Sequence, residues 1–178
     1  MSYFVFVDNS NVWIEGKVAS AVAKGFANNT AEAHLNGIED ASWRIDFGKL
    51  LGFVTDNHMT EIKKAVLFGS RPPMNDTLWN AANLHFEVVA LDRNAANKEK
   101  AVDTGIVQAI AKNLYKEASE GDVFILVMGD KDFVPSVKAI RDEKCVARIA
   151  FWDNASAELV AEANEQISLT QNIDKITY

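Results

Sequence analysis

The stretch Asp122-Val123-Phe124-Ile125-Leu126-Val127-Met128-Gly129-Asp130-Lys131-Asp132-Phe133 decides how the rest of the chain is read. Val123 to Met128 is an unbroken apolar run, rich in β-branched and aromatic residues and stopped by a glycine. A short run without polar alternation predicts a strand buried on both faces. Two carboxylates, Asp130 and Asp132, follow at its carboxyl end, and Phe133, Val137 and Ile140 then repeat at helical spacing. Ligands of open α/β sheets bind at the carboxyl ends of strands, so acids placed there are candidate metal ligands. The plainer readings are that Asp132 caps the next helix and that Asp130 is a turn residue.

Other strands deliver polar groups to the same edge. Tyr3 to Val7 is a short apolar strand ending in Asp8, with Ser10 and Asn11 in the turn that follows. Ile14, Val18 and Val22 predict an amphipathic helix after it. Ala65 to Phe68 is a second buried strand, ending in G-S-R-P-P with Arg71 at the edge; Phe86 to Leu91 is a third. Arginine in that position suits phosphate, as does Lys100 beyond the third strand. A helix from about Lys98 to Ala118 carries Asp103, Val107, Ile110 and Leu114 on one face, so that an acid tops an apolar stripe. A fifth strand spans Val146 to Phe151, and Ile167 to Leu169 is a candidate short final one.

Strands and helices alternate with short connections, which predicts a three-layer α/β fold: a mainly parallel, five-stranded sheet with helices on both faces. At 178 residues the chain fits a single domain over 1–178. The polar segment 27–41 reads as a loop or a loosely packed excursion. Hydrophobic residues make up 48% of the chain and charged residues 24%, the balance of a soluble globular protein. There is no run of membrane-spanning length and no signal peptide, so the expected location is cytoplasmic. The single cysteine, Cys145, excludes an internal disulfide and a multi-cysteine zinc site.

A net charge of −7 argues against a protein that wraps nucleic acid non-specifically, but not against a nuclease, because carboxylates holding cations are neutralised in use. Asp8, Asp103, Asp130 and Asp132 gathered at one edge would repel each other without a multivalent cation. All-oxygen ligands select Mg²⁺ or Mn²⁺ over zinc, and such a site suits hydrolysis of a phosphodiester. A receiver domain would need an acid pair after strand one, and a haloacid-dehalogenase-type phosphatase a D-x-D there. D-N-S-N supplies neither, and it also lacks the second serine of a metal-dependent adhesion site.

The segments F-V-F-V-D-N-S-N-V, R-I-D-F-G-K-L-L, F-G-S-R-P-P, K-A-V-D and V-M-G-D-K-D-F-V-P-S-V-K-A-I-R, in this order, resemble the NYN domain of the LabA-like group, within the PIN-like nucleases. The resemblance spans Tyr3 to about Leu159. It implies a PIN-like fold and a metal-dependent endoribonuclease. Asp8, Asp103, Asp130 and Asp132 would be the acidic metal set, with Asn11 beside Asp8 as a further catalytic residue, and RNA, single-stranded given the acidic surface, would be the partner. Lys100, Arg71 and Ser10 would meet the substrate, and a homo-oligomer is compatible with this reading. The chain departs from the family at Ala109, where relatives often carry another acid, at Glu143, where a glycine is usual, and in 27–41, which looks like an insertion. The Ala109 departure keeps one-metal catalysis open, and with it a catalytically weak, metal-dependent RNA-binding or regulatory module as the alternative function.

Overall fold

The structure, a computed structural model, describes residues 1–70, 78–91 and 98–178. Its frame is a six-stranded sheet: β1 (Tyr3–Asp8), β2 (Ile62–Ser70), β3 (Glu87–Leu91), β4 (Val123–Val127), β5 (Val146–Phe151) and β6 (Glu165–Ser168). The spatial order is β3-β2-β1-β4-β5-β6, and every neighbouring pair is parallel. The expectation of five strands is corrected by β6. This strand is half-exposed and brings only Ile167 to the inner side, so it lacks the apolar run that marks the others.

The order reverses direction between β1 and β4, which lie side by side with Tyr3 opposite Val123 and Val7 opposite Val127. In an open parallel sheet this reversal leaves a crevice at the carboxyl edge, because the connections from the two strands leave in opposite directions. Both strands are buried along their whole length. Phe4 and Phe124 stack at 4.7 Å and Phe6 and Phe124 at 6.2 Å, so the two strands that frame the crevice are pinned by aromatic packing. Losing one such ring costs about 3–5 kcal/mol.

The helices are α1 (Asn9–Ala23), α2 (Thr30–Asn36), α3 (Phe47–Val54), α4 (Leu78–Asn83), α5 (Lys98–Lys116), α6 (Val134–Asp142), α7 (Ala157–Glu162) and α8 (Ile173–Ile176). Helix α5 packs on β1 and β2 and against α6, while α1 and α3 meet α8. Among the described residues no helix is long and apolar enough to cross a membrane.

Two helical faces differ from the sequence reading. On α5 the buried stripe is Val102, Ile106, Ile110 and Leu114, whereas Val107 is exposed and Asp103 half-buried beside the stripe. On α1 Val18 is buried and Val22 packs on a small core, but the buried face also takes in Val12, Gly16 and Ala19, and Ile14 is exposed. Gly16 explains the shift. A Cβ there would lie 2.3 Å from ring atoms of Trp43 and 2.9 Å from Trp152, so the small residue is the contact point and two indoles cover it. Trp152 also donates its indole N–H to the Val12 carbonyl at 3.1 Å.

The segment 27–41 contains a capped helix. Asn29 accepts from the Glu32 N–H at 2.9 Å to start α2, and Gly37 ends it in a left-handed conformation (φ 63°). Val18, Ala27 and Ala33 form a small core of their own, with Val22 and Ile38 against it. Beyond α2 the buried Asp40 accepts from Ser20 Oγ at 2.6 Å and from the Ser42 N–H at 3.0 Å, and pairs with Lys24 at 2.6 Å. These contacts hold its carboxyl well below the usual carboxylate range, the Lys24 contact most of all.

Candidate metal and nuclease site

The site is built where β1 and β4 end. Asp8 is the last residue of β1 and also caps α1, accepting from the Asn11 N–H at 3.4 Å. Capping satisfies one of the free N–H groups of the first turn, and the helix dipole favours an anion there. Yet Asp8 is only 3% exposed, and burial pushes its pKa up from 3.8 to about 6. The N–H groups of Asn11 and Ser10 pull the pKa down, while the negative charges of Asp103 and Asp130 push it further up. Burial wins because an ionised carboxylate loses more hydration than two backbone donors return.

Asp130 lies on the far side of the switch point, beyond the end of β4. Its backbone is extended and its side chain makes no capping bond, and α6 begins only after a 3₁₀ turn, Lys131–Phe133. The plainer reading of Asp132 as the cap of the next helix therefore does not hold, since Phe133 stands at the start of α6. Gly129, directly before Asp130, is closely packed. A Cβ on Gly129 would come within 2.3 Å of the Phe151 ring, and the Gly129 carbonyl accepts from the Ser156 N–H at 2.8 Å. The end of β4 is thus pressed onto β5 and tied to the loop before α7. The motif did not single out this Gly129–Phe151 contact; the only signal was a glycine directly before a strand-end acid.

Asn11 joins the two strands' acids. Its Nδ2 donates to Asp8 Oδ2 at 3.0 Å and to Asp130 Oδ2 at 2.7 Å. Two oxygens sharing one nitrogen at these distances are less than about 6 Å apart, a span that one hydrated divalent cation can bridge with direct or water-mediated contacts. Asp103 arrives from the first turns of α5, close enough for its charge to act on Asp8. Asp132 sits exposed in the 3₁₀ turn and has no hydrogen bond or ion pair among the described residues. Ser10 is half-buried in the first turn of α1, and its neighbour Asn9, buried, has its Oδ1 unpartnered among the described residues. Lys100 belongs to α5, but its side chain, like Arg71 as a whole, lies outside the described residues.

Among the described residues no three His, Cys, Asp or Glu side chains form a ready cage for a metal ion. The donors fit a cation of another habit. Mg²⁺ dehydrates reluctantly and is commonly held by one or two carboxylates while keeping several waters. Asp8 and Asp130 offer hard oxygens, and the charge of Asp103 stands behind them.

A family model for the NYN domain matches residues 3–170, nearly the whole chain. The chain belongs to the NYN domain family. NYN domains are part of the PIN-like nuclease superfamily, whose members generally use divalent metal ions, and this supports a nuclease in general terms. No curated protein matches the chain significantly. The NYN assignment agrees with the observed parallel sheet flanked by helices.

Proposed function

We propose that this NYN domain is an endoribonuclease that hydrolyses phosphodiester bonds of single-stranded RNA with Mg²⁺ or Mn²⁺ at the β1/β4 crevice. The observation that carries this reading is the shared Asn11 amide, which draws carboxylates from the two switch-point strands to one place. Asp8 and Asp130 would hold the metal; Asp103 and Asp132 would complete its shell or orient water. The bound cation would supply Lewis-acid polarisation of the phosphate and a more acidic water. Asp8 must be ionised to serve, and its raised pKa means that it gives up its proton only near pH 6. Before the cation enters, Asn11 would hold the Asp8 carboxylate, and Lys100 and Arg71 would neutralise phosphate charge. Single strands suit an acidic protein, since a rigid duplex needs a broad basic footprint.

A second reading has an observation of its own. The family resemblance implies a further acid at the position of Ala109, and no ready three-ligand cage exists among the described residues. Both favour one-metal catalysis or a metal-dependent RNA-binding module. The deciding experiment incubates end-labelled oligoribonucleotides with purified protein and Mn²⁺, using wild type and Asp130→Asn. Cleavage by wild type and its loss in the variant is the expected result. Intact RNA with both, beside a nuclease that cuts it, removes the enzymatic reading in favour of binding.

A further inference from the structure

We propose that Asn11 is a latch that holds the metal-free site together and opens when the cation binds; the inference rests on the metal site proposed above. The side-chain amide nitrogen of asparagine carries two hydrogens and no acceptor. Both contacts of Asn11 Nδ2 go to carboxylate oxygens, Asp8 Oδ2 at 3.0 Å and Asp130 Oδ2 at 2.7 Å. An amide oxygen turned toward these two acids would be repelled, so the N–H₂ end is the one that must face them. The positive end of the amide dipole thereby occupies the space between two negative groups and does for the metal-free site what a cation does in the loaded one.

A cation held on those same two oxygens would compete with the amide for that role. Such a cation would face the positively polarised amide hydrogens and be repelled by them. The amide would then turn away, about its own side-chain bonds, as the metal enters. The carboxylates stay in place without it. Asp8 keeps the backbone N–H of residue 11 and the end of α1, and Asp130 keeps the Gly129–Phe151 packing and the Ser156 N–H to the Gly129 carbonyl. Asn11 is a positioning residue of the metal-free site and a competitor of the cation.

Two measurements test the latch. In ¹⁵N-labelled protein the Asn11 side-chain N–H₂ pair, identified by its absence in Asn11→Ala, is expected to exchange slowly with water in the metal-free state. Saturating Mg²⁺ should shift the pair and speed its exchange. By linkage, Asn11→Ala should melt below wild type without metal and bind Mn²⁺ more tightly, by about tenfold if the released hydrogen bonding is worth about 1.4 kcal/mol. If Mg²⁺ raises the wild-type melting temperature while the Asn11 pair keeps its shift and exchange rate, the metal site stands and the latch is overturned. Weaker Mn²⁺ binding by Asn11→Ala than by wild type overturns the latch as well. If neither cation changes melting or spectra, the metal site itself fails and the latch with it.

Discussion

At the scale of single residues, Asp8 carries the conflict on which the site depends. It ends a buried strand, caps a helix and faces two other acids, and burial raises its pKa to about 6 from 3.8. An acid whose folded pKa lies above its unfolded value binds protons more tightly in the fold. Its contribution to stability is therefore fully present below about pH 3.8 and is lost as the pH rises through about 6. The metal-free protein should lose on the order of 3 kcal/mol from this group across that window, and Asp8→Asn should not. Melting curves of both proteins in chelator between about pH 4 and pH 8 measure the difference; parallel curves would mean Asp8 titrates normally. Metal binding runs in the opposite sense, since the cation competes with the proton, so Mn²⁺ affinity should rise through about pH 6.

At the scale of elements, small residues lie under aromatic rings at the end of β4 and in the middle of α1. Gly129→Ala drives a methyl group into Phe151, and overpacking of this kind costs about 1–3 kcal/mol. Relief by movement of the strand end also moves Asp130, and a displacement of about 1 Å can cost a hundredfold in rate. RNA cleavage by Gly129→Ala should thus fall further than its melting temperature suggests, and Phe151→Leu in the same chain should restore part of it. If cleavage by the single variant equals wild type, Gly129 does not position the acid. The loop after α2 depends instead on Asp40. Asp40→Ala removes hydrogen bonds from Ser20 and Ser42 and the Lys24 ion pair, at about 2 kcal/mol or roughly 4–8 °C in Tm. Its Mn²⁺ affinity should stay that of wild type, because Asp40 makes no contact with the crevice acids among the described residues; calorimetry on the folded variant checks this.

At the scale of the whole molecule, the acidic surface and the gathered carboxylates link folding to metal. A cation that binds only the fold stabilises it by RT ln(1 + [L]/Kd), about 1.4 kcal/mol at ten times Kd. For a chain of this size the melting temperature should rise roughly 3–6 °C with Mn²⁺. Asp130→Asn should abolish most of that rise while leaving the metal-free protein at least as stable. Glu117, exposed on the far end of the α5 connection, provides the control variant. An equal rise in wild type and Asp130→Asn would place the cation elsewhere.

The sequence by itself determined the parallel α/β frame and the family. Short unbroken apolar runs such as Val123–Met128 and Tyr3–Val7 read as doubly buried strands, and Asp8 directly after one and Asp130 two residues after the other are local information. It also put Asn11 beside Asp8, since three residues across a strand-to-helix turn bring the two together. Only the tertiary structure decided the rest. The buried face of α5 passes through Val102 and Ile106 and not Val107, because helix rotation is set by what the sheet presents and periodicity leaves neighbouring stripes nearly equivalent. Strand β6 forms by pairing with β5 despite its polar sequence, as backbone hydrogen bonding does not need apolar side chains. The contact of Asn11 with Asp130 spans 119 positions of the chain, and no local pattern could show it; it exists because β1 and β4 are neighbours at the point where the sheet reverses its order.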